Sequence, residues 1–396
     1  MVEEQRMRRQ FIFLIPGYTG IGELLIAIYM ARQIKNSDLN AQVVFFAANC
    51  YKPILDEYCI SHTVLLKGCG KVNRILLLDR LYKNRNTIMI ISDIINFYTS
   101  ISDWGLSVND FFEFKGSLYG LDLYEYENRF SDMDTYGFIS QNFRELSKVW
   151  KIFDKVITPC PVGNINEKTG TKYPLIGKED IVNRSKESII EIKERYGIPA
   201  NRKVVLVLSA LWQVAGTKYP EAEKQIYLFN EAYEKIINYL CERAVVLCVG
   251  GSRKIQESER SFSVGLNSIG SVTPSEMEYY FKMADLLITR NDISTTVAKA
   301  ALSNVPVISL VCSDKEIKYR YRMYPVGWYE FLEHIVRDNP YYEIVKEYNV
   351  FDYEKIIGAI DQVLCGKTQE KNTKLVSKYL ESIWEIDIMS IFEENK

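Results

Sequence analysis

Short apolar runs alternate with segments of helical periodicity along most of the chain. In the first half, runs typical of buried strands cover residues 11–17, 41–48, 62–68, 87–93 and 155–162, and apolar spacing predicts a helix over 24–34. In the second half, strand-like runs at 203–213 and 244–251 and the strand-helix-strand stretch 286–310 accompany predicted helices at 228–240 and 275–284. This alternation predicts parallel sheets with crossover helices.

A polar stretch over residues 163–178 separates the two series of strands. We therefore predict an α/β protein with two tandem doubly wound Rossmann-like domains facing a cleft, an arrangement that binds ligands at the carboxyl ends of its strands. We predict an N-terminal domain over residues 1–165, a linker over 166–178 and a C-terminal domain over 179–372. A terminal helix is predicted over 373–396, which packs either back across the junction between the domains or on the surface of the second domain. The aromatic and acidic segment 103–130 lacks a period, which predicts a loop region or an irregular cap.

Composition narrows the class of protein. Of the 396 residues, 47% are apolar and 25% charged, which is typical of a soluble globular protein. With 49 basic and 51 acidic residues, the chain has no electrostatic signature of nucleic-acid binding. The apolar run 11–15 is too short for a signal peptide and no run is long enough to span a bilayer, so we expect a cytoplasmic protein.

The eight cysteines form no CxxC pair. This pattern favours reduced core residues over a disulfide or zinc framework, and we expect no metal site.

A glycine-rich turn, GYTGIGE, follows the first predicted strand and contains Gly17, Gly20 and Gly22. Such a turn brings backbone N–H groups at a helix start close to a ligand. The dinucleotide fingerprint GxGxxG does not fit, because its third glycine would fall on Leu25, and there is no GxxxxGK loop. The sequence therefore disfavours a nicotinamide enzyme or an ATPase.

Two carboxylates lie on the same predicted sheet edge. Glu23 opens the first helix, where the helix dipole alone would stabilise it, and Asp93 ends a strand, where helix capping alone would explain it. Two neighbouring carboxylates also push their pKa values apart, so that one of them can act as a base. Glu23 and Asp93 are the candidate catalytic residues, with the structural explanations left open.

Hydroxyl-bearing and polar loops follow the strands of the second half. Ser and Thr hydroxyls at a helix start suit phosphate oxygens, although helix capping would explain each segment alone. What favours a ligand site is that four such loops share one inferred edge. The candidate ligand-binding residues there are Ser209, Trp212, Gln213, Gly251, Ser252, Val272, Arg290, Asn291, Ser294, Thr295 and Thr296.

The segment MADLLITRNDISTTVAKAALSNVPVISL (283–310), preceded by GSVTPSEMEYYFKMAD, resembles the donor-binding block of nucleotide-sugar glycosyltransferases with the GT-B fold. The relatives in question are those of natural-product pathways and the N-acetylglucosaminyltransferase of peptidoglycan synthesis. The resemblance rests on Ala284-Asp285, Thr295-Thr296 and Val305-Pro306. It implies that the glycine turn of the first domain contacts an acceptor and that the second domain holds the nucleotide diphosphate and sugar.

The chain departs from this family at several positions. Asp292-Ile293 replaces two glycines, and Lys299 stands where a glutamate often binds the ribose. An ammonium there would pair with a phosphate or a carboxylate instead. The histidine common near the first turn is absent, which leaves Glu23 as its nearest replacement, and Asp314 falls near a carboxylate that contacts sugar hydroxyls in some members.

The resemblance implies a glycosyltransferase that moves a sugar from a nucleotide-sugar donor to a small-molecule or glycan acceptor. Glu23 or Asp93 would serve as general base, and the helix near Ser294 would hold the diphosphate, so that neither a metal nor a cofactor is required. A nucleotide-sugar epimerase and a catalytically inactive GT-B-like partner protein remain as alternatives. The sequence is compatible with a homo-oligomer or a partner protein.

Overall fold

The computed structural model describes residues 9–17, 21–79, 86–112, 114, 116–123, 148–161, 171–208, 223–254, 262, 264–270, 272–291, 294–311 and 339–393. The chain forms two compact units. The first contains Met1–Gly177 together with Ile383–Lys396, and the second contains Lys178–Ser382.

The first unit is built on a sheet of seven strands. These are β1 (Gln10–Leu14), β2 (Gln42–Ala48), β3 (His62–Leu65), β4 (Thr87–Ile91), β5 (Ser117–Leu121), β6 (Lys155–Cys160) and β7 (Thr171–Pro174). They lie in the order β3-β2-β1-β4-β5-β6-β7, and each pairs in parallel with its neighbours. Strands covered on both faces read as continuous apolar runs, which explains why β1, β2 and β4 were predictable.

The helices of this unit that lie before β5 are α1 (Gly22–Ser37), α2 (Lys52–Glu57), α3 (Gly70–Arg74) and α4 (Ile94–Ser100). Helix α1 follows β1 directly and buries most of its length, from Glu23 to Ala31. Helix α4 follows β4, and the Asp93 side chain caps it. The starts of α1 and α4 therefore lie at the carboxyl edge of the sheet.

The second unit contains a six-stranded parallel sheet. Its strands are β8 (Val204–Leu208), β9 (Val245–Lys254), β10 (Gly265–Gly270), β11 (Leu286–Thr289), β12 (Val307–Val311) and β13 (Val345–Asn349), in the order β10-β9-β8-β11-β12-β13. The remaining helices are α5 (Lys186–Arg195), α6 (Glu223–Cys241), α7 (Pro274–Met283), α8 (Thr295–Leu302), α9 (Tyr341–Ile344), α10 (Tyr353–Leu364), α11 (Gln369–Trp384) and α12 (Ser390–Glu393).

The last helix, α12, is part of the first unit. Its Phe392 ring lies edge-on to the rings of Phe11 and Tyr119, with centroids 5.2 Å away in both cases. Lys155 donates a hydrogen bond to the carbonyl of Ile391 at 3.2 Å. The end of the chain thus packs on β1, β5 and β6.

Both sheets have the strand order typical of dinucleotide-binding domains. In the first sheet the winding direction reverses between β1 and β4, and in the second between β8 and β11. Ligands of open α/β sheets bind at such switch points, beyond the carboxyl ends of the strands. The prediction of two doubly wound α/β domains is confirmed.

Four strands, β5, β7, β10 and β13, lie where the sequence analysis predicted none. Strand β5 falls in the segment expected to be irregular, and β7 falls in the polar stretch before the second unit. In β7 the side chain of Tyr173 is fully buried, and Gln33 of α1 donates to the carbonyl of Pro174 at 2.6 Å. A four-residue strand beside lysines carries too few apolar residues to be recognised.

The cysteines of the described residues are free. Of these, Cys160 is buried, but Cys50, Cys59, Cys69 and Cys365 are exposed, so the expectation that the cysteines are core residues is wrong for those four. They lie in turns and helix ends, where the apolar context that suggested burial is absent. Among the described helices, none combines the length and apolar character needed to cross a bilayer.

Candidate functional site

The two predicted catalytic carboxylates meet at the switch point of the first sheet. Glu23 lies in the first turn of α1, which follows β1, and Asp93 follows β4, the parallel neighbour of β1. Both side chains are buried, with 6% and 8% of their surface exposed. Burial distinguishes them from surface acids that only complement a helix dipole.

Glu23 accepts hydrogen bonds from three neutral donors on three parts of the edge. The hydroxyl of Tyr51, after β2, lies 3.4 Å from Oε1. The hydroxyl of Ser92 and the side-chain amide of Asn96 lie 3.5 Å and 3.4 Å from Oε2. The carboxyl group is therefore held in one place although none of these bonds is short.

Asp93 has shorter and more direct partners. Its Oδ1 accepts the backbone N–H of Asn96 at 2.8 Å, which caps α4, and its Oδ2 accepts the side-chain amide of Asn96 at 3.1 Å. Helix capping, one of the two explanations considered from the sequence, is thus correct for Asp93. In addition, Asp93 shares the side-chain amide of Asn96 with Glu23. One residue can serve both purposes because a cap uses a single carboxyl oxygen.

Burial raises the pKa of both carboxyl groups. The pKa of Glu23 rises to about 8, chiefly through desolvation and then through the nearby charge of Asp93. Desolvation also raises the pKa of Asp93 to about 6, against the stabilising backbone N–H groups of Asn96 and Ile95. Near neutral pH the pair therefore holds one proton and one negative charge.

The glycine turn leaves room for the Glu23 carboxyl group, because Gly17 has no side chain. A Cβ atom on Gly17 would lie 1.9 Å from Oε1 of Glu23, so a glycine is needed there for the carboxyl group to occupy its position. Gly22 is the first residue of α1. Gly20, the third predicted glycine, lies outside the described residues.

Tyr51, Ser92 and Asn96 were not among the predicted site residues. Ser92 precedes Asp93 and Asn96 follows it by three positions, the spacing at which a capping side chain meets the helix backbone. That spacing was a usable signal for Asn96. Nothing local in the sequence indicates that Tyr51 reaches Glu23.

A second group of predicted residues lies where β11 ends and α8 begins, at the switch point of the second sheet. Arg290 is buried there, with its guanidinium carbon 3.9 Å from the centroid of the Tyr233 ring and Nη1 3.1 Å from the Asn230 side-chain oxygen. Both partners belong to α6. Asn291 follows Arg290, and its backbone N–H donates a hydrogen bond to the Thr289 hydroxyl at 3.0 Å.

Helix α8 begins without a side-chain cap. Ser294 occupies the N-cap position in an extended conformation, but its hydroxyl makes no capping hydrogen bond. Thr295 is buried and Thr296 is half-buried. The capping explanation for Ser294 therefore does not hold, and the first N–H groups of α8 remain suited to an anion.

Lys299 is buried one turn further along α8. Its ammonium group lies 2.6 Å from Oε1 of Glu278 on α7, with 4% of the lysine side chain and 35% of the glutamate side chain exposed. The carboxylate partner anticipated for Lys299 is thus present within the protein.

The remaining predicted residues are distributed differently. Gly251 and Ser252 lie within β9 and not in a loop after it. Val272 is half-buried beside Thr273, whose hydroxyl caps α7 in a capping box with Glu276. Ser209, Trp212, Gln213 and Asp314 lie outside the described residues, as do Asp292 and Ile293.

Asp285, one anchor of the resemblance, has a structural role. It precedes β11 at the amino edge of the sheet, accepts the backbone N–H of Val204 at 2.9 Å, and pairs with Lys203 at 2.9 Å. It joins β8 to β11 at the edge opposite to the start of α8.

Solved structures that align with this chain include glycosyltransferases of the GT-B type. HepE from Anabaena, in complex with UDP-glucose, aligns over 96% of this chain and 96% of its own at 13% identity, with a TM-score of 0.57. Sucrose-phosphate synthase from Thermosynechococcus elongatus aligns over 97% and 98% at 12% identity, with a TM-score of 0.55. The spinosyn rhamnosyltransferase SpnG aligns over 96% and 100% at 10% identity, with a TM-score of 0.52. At these identities the likeness establishes the fold, which is of the GT-B type.

A family model matches residues 30–316 and 311–393, so the chain belongs to that family, which is described as "Family of unknown function (DUF6365)". Among curated proteins, none matches the sequence.

Proposed function

We propose that this chain is a glycosyltransferase that moves a sugar from a nucleotide-sugar donor to a small-molecule or glycan acceptor. The observation that carries the proposal is the buried pair of Glu23 and Asp93 at the switch point of the first sheet, in a chain with a GT-B fold. A general base is most effective when its pKa lies near the operating pH, and the pKa of Glu23 is raised to about 8.

In this proposal Glu23 is the base and Asp93 keeps the pKa of Glu23 high. The acceptor hydroxyl gives its proton to ionised Glu23 while its oxygen bonds to the anomeric carbon of the sugar. The bond from that carbon to the phosphate oxygen breaks, and the nucleoside diphosphate leaves with the electron pair. Activity then requires the ionised form of Glu23, so the rate should rise as the pH passes through about 8 and level off above it.

The second unit would bind the donor at the start of α8. The N–H groups of the first turn, with the hydroxyl of Thr296 and the charge of Arg290 nearby, suit the two phosphates. Such a site stabilises the leaving group without a metal ion, and we expect no cofactor beyond the nucleotide sugar. UDP is the first nucleotide to test, because HepE is described in complexes with UDP and UDP-glucose.

Thermal unfolding with UDP, dTDP, GDP, CMP and NAD tests the donor site. A ligand that binds only the folded state stabilises it, by about 2.7 kcal/mol at a concentration of 100 times Kd. We expect one diphosphate nucleotide to raise the Tm, and Thr296→Val to reduce that shift. Thr373→Val, which removes an exposed hydroxyl of α11 in the same unit, is the control and should leave the shift unchanged.

A transfer assay with the stabilising nucleotide's sugar then tests the catalytic claim. Glu23→Gln should bind the nucleotide as the wild type does and lose turnover by about 100-fold or more, the usual contribution of general base catalysis. Nucleotide binding without turnover in the wild type would favour a non-catalytic partner protein. Absence of any nucleotide effect at millimolar concentration would overturn the donor site.

A further inference from the structure

Asn96 contacts both carboxyl groups of the pair at the same time. Its side-chain Nδ2 lies 3.1 Å from Oδ2 of Asp93 and 3.4 Å from Oε2 of Glu23. Its backbone N–H donates to Oδ1 of Asp93 at 2.8 Å. A primary amide has two N–H donors, so one side chain can serve two carboxyl oxygens.

The direction of these bonds limits where the proton of the pair can be. An N–H group can donate to a carboxyl oxygen that carries no hydrogen, which applies to Oε2 of Glu23 and Oδ2 of Asp93. Ser92 also points its hydroxyl at Oε2 of Glu23. The other oxygen of Glu23, Oε1, lies on the side of Gly17 and Tyr51, whose hydroxyl can either donate or accept.

We propose that Asn96 is a positioning residue that links Glu23 and Asp93 by hydrogen bonds and leaves Oε1 of Glu23 as the atom that takes and releases the proton. The proposal rests on the glycosyl transfer proposed above and deepens it. Asn96 itself touches no reacting atom. It acts through the two carboxyl groups, by donating to the ionised form of each.

The described groups that face the pair lie after β2, after β4 and on α4. They are Tyr51 and Cys50 after β2, Ser92 after β4, Asn96 on α4, and the two carboxyl groups themselves. Partial desolvation raises the pKa of the Cys50 thiol although the residue is exposed at the surface, so the thiol stays neutral. Among the described residues, the hydrogen bonds that stabilise negative charge on Glu23 and Asp93 come from neutral donors, and the Asn96 side chain donates to both.

Removing the side chain of Asn96 tests this without removing the helix cap. In Asn96→Ala the backbone N–H still binds Asp93, so α4 keeps its cap. The ionised form of Glu23 loses a donor, and its pKa should rise further. Asn96→Asp places a third carboxyl group in the same volume and should raise it more. Thr99→Ala, which removes an exposed hydroxyl bound only to its own helix, is the matched control.

Infrared difference spectra between pH values detect the loss of a protonated carboxyl group. The band of Glu23 is assigned by its absence in Glu23→Gln. We expect its midpoint to move to higher pH by about half a unit or more in Asn96→Ala, a threefold change in the ionised fraction. Thr99→Ala should titrate as the wild type does. A midpoint for Glu23 that is the same in Asn96→Ala and the wild type would overturn the role of Asn96.

The titration needs no substrate, so its outcome is separate from that of the proposed function. If the midpoint moves and no sugar is transferred, the role of Asn96 holds and glycosyl transfer fails. If sugar is transferred, the pH profile of kcat should move with the infrared midpoint in Asn96→Ala, while KM changes little. A transfer-competent Asn96→Ala with an unshifted pH profile would contradict the positioning role.

Discussion

Replacing Glu23 with glutamine should make the stability of the first unit less dependent on pH. The pKa of Glu23 in the folded protein is raised to about 8, whereas the ordinary pKa of a free glutamate is 4.5. Between these two values the folded state binds a proton that the unfolded chain has released. Unfolding therefore becomes easier as the pH rises through this window.

The size of the effect follows from proton linkage. One full proton of difference changes the free energy of unfolding by about 1.4 kcal/mol for each pH unit. Over the two units from about pH 5.5 to about 7.5, the wild type should lose about 3 kcal/mol that Glu23→Gln keeps. The effect is absent below the unfolded pKa, where both states carry the proton. Gln also changes the hydrogen bonds with Ser92 and Asn96, but that cost does not vary with pH.

The assay must report on the unit that carries the pair, because proteins with more than one compact unit often depart from two-state unfolding. Urea unfolding followed by hydrogen exchange of peptides from β1 and β4 does so. Glu385→Gln, at an exposed position of the same unit, is the control and should follow the wild type. Parallel pH dependences in Glu23→Gln and the wild type would refute the raised pKa of Glu23, and with it the choice of base.

Two other predictions concern steric and electrostatic fit. Gly17→Ala places a Cβ 1.9 Å from Oε1 of Glu23, so it should displace the carboxyl group and lower kcat while circular dichroism shows the fold retained. In the ion pair of Lys299 and Glu278, Glu278→Gln leaves the buried ammonium of Lys299, which is 4% exposed, without a negatively charged partner. Lys299→Met leaves the carboxylate of Glu278 unpaired, but that side chain is 35% exposed and stays partly in water. Chemical denaturation should therefore show the larger loss, about 3 kcal/mol, for Glu278→Gln, and equal losses would contradict this account.

The sequence was sufficient for the architecture because both sheets are parallel and covered by helices. Their central strands are continuous apolar runs, and the apolar period changes between strand and helix at each turn. Strands β5, β7, β10 and β13 were missed because none of them forms a continuous apolar run, and polar residues interrupt both β10 and β13. Strand β5 contains Gly120 and β7 has only four residues, with Lys172 inside it, so neither forms an apolar run.

The sequence also predicted Glu23 and Asp93, since both follow strands whose carboxyl ends meet at one edge. It could not predict the hydrogen bonds that make them a pair. Tyr51 reaches Glu23 from the end of the neighbouring strand β2, and the two residues are 28 positions apart in the sequence. Such a contact depends on the register of β1 and β2 and on side-chain direction, which no local pattern records.

Lys299 departs from the family pattern, and a carboxylate on the neighbouring helix α7 compensates its charge. The resemblance puts a ribose-binding glutamate at this position, but the ammonium found there pairs with Glu278, which is 21 residues earlier on α7 and partly exposed. A carboxylate is thus retained in this region on a different helix.

We expect the Glu278 carboxylate to bind the ribose hydroxyls of the nucleotide. Glu278→Gln should then bind UDP and 2′,3′-dideoxy-UDP equally, whereas the wild type should prefer UDP by about 10-fold, the value of one hydrogen bond to a charged group. Calorimetric titration measures both affinities, and the Lys299→Met variant, which keeps Glu278, is the control. A preference for UDP that persists in Glu278→Gln would mean that the carboxylate only neutralises Lys299, and that the ribose is recognised by another residue.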